Sequence, residues 1–103
     1  MFKLPKAEDQ TALMERYKKL DAENSKDGKP YILNLAVGPA EADPRSQGFT
    51  LVSKSEFASM QDMKYYDNDC PHHQALKDFA KTLTLEGIMT VYFTPQVVGN
   101  SSQ

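Results

Sequence analysis

The sequence has 103 residues, of which 40% are hydrophobic and 25% charged, a composition typical of one soluble globular domain with little room for a second. A formal net charge of −2 provides no field for holding a nucleic-acid backbone or an anionic membrane. The sequence also lacks a long apolar run, and its single cysteine, Cys70, agrees with a reducing compartment. We therefore expect a protein of the cytosol or nucleus, with no nucleic-acid or membrane partner.

The first predicted element of any length is an amphipathic helix from Lys6 to about Ala22. Four apolar residues recur at three-to-four spacing along one of its faces: Leu13, Met14, Tyr17 and Leu20. The segment 24–30 follows, and its Asp27-Gly28 pair and its proline predict an exposed loop.

Two strands are predicted next. In the first, from Tyr31 to Val37, odd-numbered apolar residues share one face and even-numbered residues share the other. Gly38 and Pro39 end it, and a surface loop leads to the second strand, from Phe49 to Ser55. The strand from Tyr31 to Val37 has apolar residues on both faces, as expected of a sheet covered on both sides.

Two helical segments and a last strand complete the chain. Ser55 is a plausible N-cap for a helix that reaches about Tyr66, and the DNDCP string then breaks that helix. Pro71 fits the first turn of the next helix, with Asp69 or Cys70 as its cap. The β-branched and aromatic residues from Ile88 to Thr94 predict a final strand, followed by a polar tail at 96–103.

The order of elements predicts one α+β domain over residues 1–95 with the ferredoxin-like βαββαβ plan and an antiparallel sheet. Its first strand is short, because only Phe2, Lys3 and Leu4 precede Pro5. Either the sequence begins inside this strand, or the missing part of the ladder is supplied elsewhere.

The segments FKLPKAEDQ, YKKL, GFTLVSKSEFASMQDMKYY, CPHHQALKDF and VYFTP together resemble the stress-responsive A/B barrel domain, a dimeric α+β barrel family, in a form seen in fungi. The similarity runs from Phe2 to Pro95. It implies a homodimer in which two subunits place their sheets face to face.

The resemblance also suggests a catalytic site. Plant members that act as polyketide cyclases have a tyrosine before an H-P-x-H motif, whose last histidine is a general base for intramolecular aldol closure. Here His73 takes that place, Cys70 replaces the first histidine, and Tyr66 is the matching tyrosine, with His72 as the base if the register shifts. The alternative is structural: His73 packs against the sheet and hydrogen-bonds a neighbouring loop.

An aromatic set could line a small apolar pocket between sheet and helices or form an ordinary core: Tyr31, Phe49, Phe79 and Tyr92. Cys70 and His73 supply only two ligands at i, i+3 spacing, so no metal and no cofactor are expected. Two functions remain open. One is a homodimeric stress-responsive barrel protein, with or without a small apolar ligand. The other is a cofactor-independent cyclase or lyase for a polyketide-like substrate.

Overall fold

The computed structural model describes residues 1–99, and within that range the elements follow the βαββαβ plan, with the second helical segment divided in two. In chain order they are β1 (Phe2–Lys3), α1 (Ala7–Glu23), β2 (Ile32–Pro39), a 3-10 turn (Pro44–Ser46), β3 (Leu51–Phe57), α2 (Met60–Asn68), α3 (Pro71–Ala80) and β4 (Gly87–Ile88). The predicted fold class is therefore confirmed.

The sheet is antiparallel, with strand order β2-β3-β1-β4. One side of it, the helix face, packs against α1 and α3 and forms the core. The fully or largely buried members of this core are Phe2, Leu4, Leu13, Tyr17, Leu20, Leu51, Leu76 and Ala80. The fold is ferredoxin-like because all of its helices lie on one side of the sheet.

Within residues 1–99, the opposite side of the sheet, here the open face, has no helix against it. It presents Ala36 of β2 opposite Lys54 of β3, and Asn34 opposite Glu56, all of them exposed. Val52, on the same face, is 38% exposed. An uncovered sheet face at the centre of a small domain is a surface available to a partner or a ligand.

The first strand is as short as the sequence predicts, and Thr50 secures it. The Thr50 Oγ1 accepts a hydrogen bond from the Leu4 amide at 2.9 Å and donates to the Leu4 carbonyl at 2.7 Å. The Thr50 amide also donates to the Phe2 carbonyl at 2.8 Å. On the other side of β1, Met1 and Met89 exchange two hydrogen bonds, which extend the ladder by one pair.

Two local predictions were wrong. The alternation in β2 is interrupted by an irregularity between Ile32 and Asn34, so Ile32 and Leu35 both pack on the core while Leu33 is 65% exposed. The N-cap of α2 is Ser59, which accepts from the Asp62 amide, because Ser55 lies within β3. Cys70, by contrast, is the N-cap residue of α3, as one of the two alternatives predicted.

The last strand was predicted too long. Its β-branched and aromatic sequence favours a strand to Thr94, but β4 contains only Gly87 and Ile88. β4 pairs with β1 at Phe2 and Ile88 and at Lys3 and Gly87, and the bonds between Met1 and Met89 add one further pair. Residues 90–99 continue exposed and outside any strand.

Candidate functional site

Tyr66 and His73 lie against each other where α2 gives way to α3. The chain turns at Asp69 and Cys70, which brings the start of α3 back over the end of α2. The two rings are stacked, with centroids 3.6 Å apart and planes 13° from parallel. The His73 Nδ1 is 2.7 Å from the Tyr66 carbonyl oxygen. Since a carbonyl oxygen only accepts, Nδ1 must carry the proton, which leaves the free lone pair on Nε2.

Burial determines the protonation of this pair. Burial lowers the pKa of His73, and the Tyr66 carbonyl opposes that shift only in part, so the imidazole is neutral near pH 7. Burial also raises the pKa of the Tyr66 phenol far above its ordinary value, with Tyr17 acting in the same direction and the Ser55 hydroxyl against it. The site therefore holds a neutral imidazole and a neutral phenol.

Protein side chains pack closely around Tyr66 and His73. His73 is 8% exposed and its ring lies in contact with the ring of Tyr66. Phe57 approaches Tyr66 from β3 at 5.1 Å between centroids. Neither of the two surface cavities described below includes Tyr66 or His73 in its lining. The neutral base thus has a favourable tautomer, but its neighbours are protein side chains.

His72 points away from this pair. Its Nδ1 is 3.8 Å from a carboxylate oxygen of Glu23 on α1, at the protein surface. It lines a groove of about 90 Å³ between α1 and α3, together with Arg16 and Lys19. Of the two histidines, His73 is therefore the one that contacts Tyr66.

Tyr31 and Cys70 form a second buried group beside this pair. Tyr31 is 6% exposed, stacked near Phe57 and edge-on to Tyr65 at 5.2 Å between centroids. Burial raises its pKa strongly, and the nearby Cys70 thiol adds to that shift. The Tyr31 hydroxyl has no hydrogen-bond partner of suitable geometry within residues 1–99. Cys70 is 2% exposed, so it is closed to solvent reagents.

The four aromatic residues considered as a pocket lining lie in four different places. Tyr31 is in the core, and Phe79 on α3 lies under the Arg16 guanidinium at 4.0 Å. Phe49 lies beside β1, where the Lys3 ammonium is 4.9 Å from its ring centroid. Tyr92 is 61% exposed in the segment after β4. The structure does not bring these residues together into one pocket.

A larger cavity, of about 250 Å³, lies on the open face, where sequence reasoning did not look for one. Of the four predicted aromatic residues, Phe49 alone contributes to it. Its other lining residues come from the start of the chain, the segment between β2 and β3, β3 itself and the end of β4. That lining is Met1, Ala40, Arg45, Ser46, Gln47, Phe49, Val52 and Met89. Arg45, which also lines the cavity, is paired with Asp43 at 2.7 Å.

Sequence reasoning also missed the serines of β3 that face the tyrosines. Ser53 lies by the Tyr17 hydroxyl and Ser55 by that of Tyr66, and each lowers the pKa of its phenol against the larger effect of burial. The signal was present, because the alternation in β3 places both serines on the helix face. Each gives a buried phenol a polar neighbour.

No group of three or more histidine, cysteine, aspartate or glutamate side chains that could hold a metal ion occurs in residues 1–99. Within the same range, no helix is both long and apolar enough to span a membrane.

Comparison with known proteins places the chain in a family. A "Fusaristatin A biosynthesis cluster protein" of Gibberella zeae is 50% identical to it over 101 residues, covering 98% of this chain and 73% of the relative. No solved structure matches the chain. The family model described as "Stress responsive A/B Barrel Domain" matches residues 1–93, nearly the whole domain. The chain therefore belongs to the stress-responsive A/B barrel domain family.

Proposed function

We propose that this chain is a homodimeric barrel protein that binds a small apolar ligand between the sheets of its two subunits. The observation that carries the proposal is the cavity of about 250 Å³ on the open face, with Met1, Phe49, Val52 and Met89 in its lining. A ligand pocket is usually about 300–1,000 Å³ and mostly enclosed. One subunit supplies a floor of almost that size, and a second subunit supplies the roof.

The charges on the open face suit a second copy of the same chain. Lys54 and Glu56 follow each other on this face of β3, with their charged atoms 3.5 Å apart. A two-fold axis through an interface brings each patch against its own copy, so a patch with one charge of each sign is complementary to itself. The pair of Lys54 and Glu56 therefore adds no net charge to the proposed interface.

The name of the 50% identical relative supports a role for this binding in biosynthesis. The Gibberella zeae protein is named for a biosynthesis cluster, and the present chain matches it almost from end to end. We propose that the present chain also serves a fungal biosynthetic route, in which a small apolar or polyketide-like intermediate occupies the cavity. The site at Tyr66 and His73 then has a structural role, joining α3 to the end of α2.

Val52→Asp tests both parts of the proposal, because Val52 lies on the open face and lines the cavity. We expect wild type to sediment as a dimer and to enhance the fluorescence of anilinonaphthalene sulfonate, an apolar probe. The variant should sediment as a monomer and enhance the fluorescence of the probe only slightly. Its circular dichroism should show that it remains folded. Val98→Asp is the matched control, since Val98 is 79% exposed near the chain end. A wild-type monomer, or a Val52→Asp dimer that binds the probe equally well, would contradict the proposal.

A second function, that of a cyclase-like enzyme, is favoured by one observation. The bond from the His73 Nδ1 to the Tyr66 carbonyl fixes the tautomer whose Nε2 has a free lone pair. In an intramolecular aldol closure, the His73 Nε2 removes a proton from a substrate carbon that lies between two carbonyl groups. The resulting enolate carbon attacks a distant carbonyl carbon of the same molecule, and the new alkoxide takes the proton back. Atoms balance, and no cofactor takes part.

The thioester of a linear 3,5,7-trioxo acid with N-acetylcysteamine is a suitable probe for this chemistry. An enzyme should close it to a ring faster than buffer does, as followed by mass spectrometry, and His73→Gln should abolish the difference while remaining folded. His72→Gln is the matched control, because His72 faces Glu23 instead of Tyr66. If wild type and His73→Gln close the ring at the rate of buffer, His73 is not a general base for this class of substrate.

A further inference from the structure

The groove between α1 and α3, here the helix groove, carries a concentration of positive charge. Arg16, Lys19 and Glu23 line it from one face of α1, and His72 and Ala75 line it from α3. Its volume of about 90 Å³ is less than a third of the ~300 Å³ at which ligand pockets usually begin. The helix groove therefore has the size to hold one small polar group, and not a whole drug-sized molecule.

Arg16 has no carboxylate with which to pair. The residues three or four positions away on α1 are Ala12, Leu13, Lys19 and Leu20. The central carbon of its guanidinium lies over the Phe79 ring, 4.0 Å from the centroid. A guanidinium that rests on an aromatic ring still has N–H donors in its own plane. Because Arg16 forms no ion pair within residues 1–99, these donors are held in place and open to an anion.

Lys19 also lacks an ion pair in the part of the chain that the structure describes. Two carboxylates lie four residues from it on α1, and each of them lies closer to another group. Glu15 pairs with Lys18 at 3.0 Å, and a carboxylate oxygen of Glu23 is 3.8 Å from the His72 Nδ1. The two cations of the helix groove are therefore neighbours on one helix face without a counter-ion, and an anion between them would relieve their repulsion.

We infer that the helix groove binds a phosphate group, with Arg16 and Lys19 as its cationic ligands and His72 beside them. The charge favours phosphate over carboxylate, because a phosphate monoester carries about −1.5 to −2 charges at pH 7 and meets two fixed cations. The arginine fork and the lysine ammonium both suit phosphate oxygens. The helix groove lies on the helix side of the sheet, so this inference goes beyond the proposed function and does not depend on it.

A protein segment fits the helix groove less well than a small molecule does. Protein interfaces are centred on large apolar anchors, and the lining offers few of them. Leu20 and Leu76 are only 2% and 3% exposed, Arg16 covers Phe79, and the exposed Ala75 is small. The phosphate is therefore that of a free phosphate ion or of a small phosphate monoester.

An NMR titration of the full chain with inorganic phosphate, at constant ionic strength, tests the inference. We expect saturable shifts of the Arg16 side-chain N–H signals with a Kd of ~1 mM. Arg16→Gln and Lys19→Gln should each weaken binding ~10-fold or more, with Lys19→Gln as the variant that leaves the contact with Phe79 in place. Lys18→Gln is the matched control, because it removes the same charge one residue away, where the ammonium pairs with Glu15.

Glu23 provides a test of the opposite sign. Its carboxylate lines the helix groove and repels an anion there, so Glu23→Gln should tighten phosphate binding ~3-fold or more. Asp21→Asn, at an exposed position of α1 outside this lining, makes the same change of charge and should leave the affinity nearly unchanged. A residue that served only the stability of the fold would not tighten binding when it is replaced.

Methyl phosphate and acetate identify the ligand. Methyl phosphate that binds as tightly as inorganic phosphate points to a monoester, weaker binding points to free phosphate, and either supports a phosphate site. Three results would overturn the inference: no saturable binding, equal weakening by Lys18→Gln and Lys19→Gln, or acetate binding as tight as that of phosphate. Val52→Asp should bind phosphate like wild type, so failure of the proposed dimer leaves this test valid.

Discussion

At the scale of single residues, the burial of His73 predicts a dependence of stability on pH. Burial lowers the pKa of His73 below its ordinary value of 6.5, so the unfolded chain binds a proton more readily than the folded chain does. The contribution of His73 to the free energy of unfolding is complete above pH 6.5 and is lost as the pH falls through the pKa of the folded state. Acid therefore weakens the contact between α2 and α3.

Urea unfolding of wild type and His73→Gln at pH 7.5, 6.5, 5.5 and 5.0 measures this effect. Since glutamine does not titrate in this range, we expect a smaller fall in unfolding free energy between pH 6.5 and 5.0 in the variant. His72→Gln is the control, because it removes an imidazole from the surface and leaves the contact between His73 and Tyr66 in place. Identical pH profiles for wild type and His73→Gln would show that His73 does not titrate differently in the folded state.

Asn24 is a residue whose importance only the fold reveals. Its side-chain oxygen accepts hydrogen bonds from the amides of Tyr31 and Ile32, at 3.0 and 3.2 Å. Its amide group donates to the Asp21 carbonyl at 2.7 Å, and Asn24 is 6% exposed. One side chain thus joins the end of α1 to the start of β2.

Asn24→Ala should lower the free energy of unfolding by about 2–4 kcal/mol, because it leaves two backbone amides without their acceptor in a poorly solvated place. Chemical denaturation at a fixed protein concentration measures the loss. Asn68→Ala, at the exposed end of α2, should change the same quantity by less than about 0.5 kcal/mol. Equal stability of the two variants would mean that water replaces the Asn24 oxygen at no cost.

At the scale of secondary-structure elements, β1 depends on Thr50 for its attachment. Two residues of strand form few ladder bonds, and Thr50 Oγ1 adds two more, to the amide and carbonyl of Leu4. Thr50→Val keeps the shape and removes both bonds, so we expect a loss of about 1–3 kcal/mol in unfolding free energy. The amide protons of Glu86 and Met89, which bond carbonyls of Lys3 and Met1, should exchange faster with solvent.

The matched control is Thr11→Val on the exposed side of α1, which makes the same change of atoms away from any strand. It should leave the exchange of Glu86 and Met89 at the wild-type rate. Faster exchange at these two amides in both variants would point to general destabilisation and against a specific role of Thr50.

Local sequence predicted elements well wherever the determining interactions were local. Periodicity located α1, and Pro71 located the start of α3, because helix patterns and proline geometry act within a few residues. The end of β4 could not be found in this way, since it depends on how β4 pairs with β1, which is distant in sequence. The irregularity between Ile32 and Asn34 was not predicted either, because it depends on the register in which β2 pairs with β3.

The candidate site followed the same rule. The spacing of Tyr66 and His73 placed both residues near the junction of α2 and α3, but the choice between His72 and His73 required the Tyr66 carbonyl contact. The cavity on the open face combines three regions that are far apart in sequence, at Met1, at Phe49 and Val52, and at Met89. Its composition follows from strand order, which no local pattern contains.

At the scale of the whole molecule, the open face predicts how charge governs assembly. Each copy brings Lys54 and Glu56 to the centre of the proposed interface, and in a two-fold dimer the four charges sum to zero. Lys54→Glu replaces this balance with four carboxylates in a small area, and Glu56→Lys replaces it with four ammonium groups. Either change should raise the dimer dissociation constant ~10-fold or more through like-charge repulsion.

The double variant Lys54→Glu with Glu56→Lys restores neutrality and should recover most of the wild-type affinity in sedimentation equilibrium. Because salt screens these charges, raising the ionic strength from 0.1 to 1 M should reduce the defect of each single variant and leave the double variant little changed. Lys29→Glu, in the exposed loop before β2, is the control for net charge alone. If the single variants dimerise like wild type at low salt, the two subunits meet through a surface other than the open face.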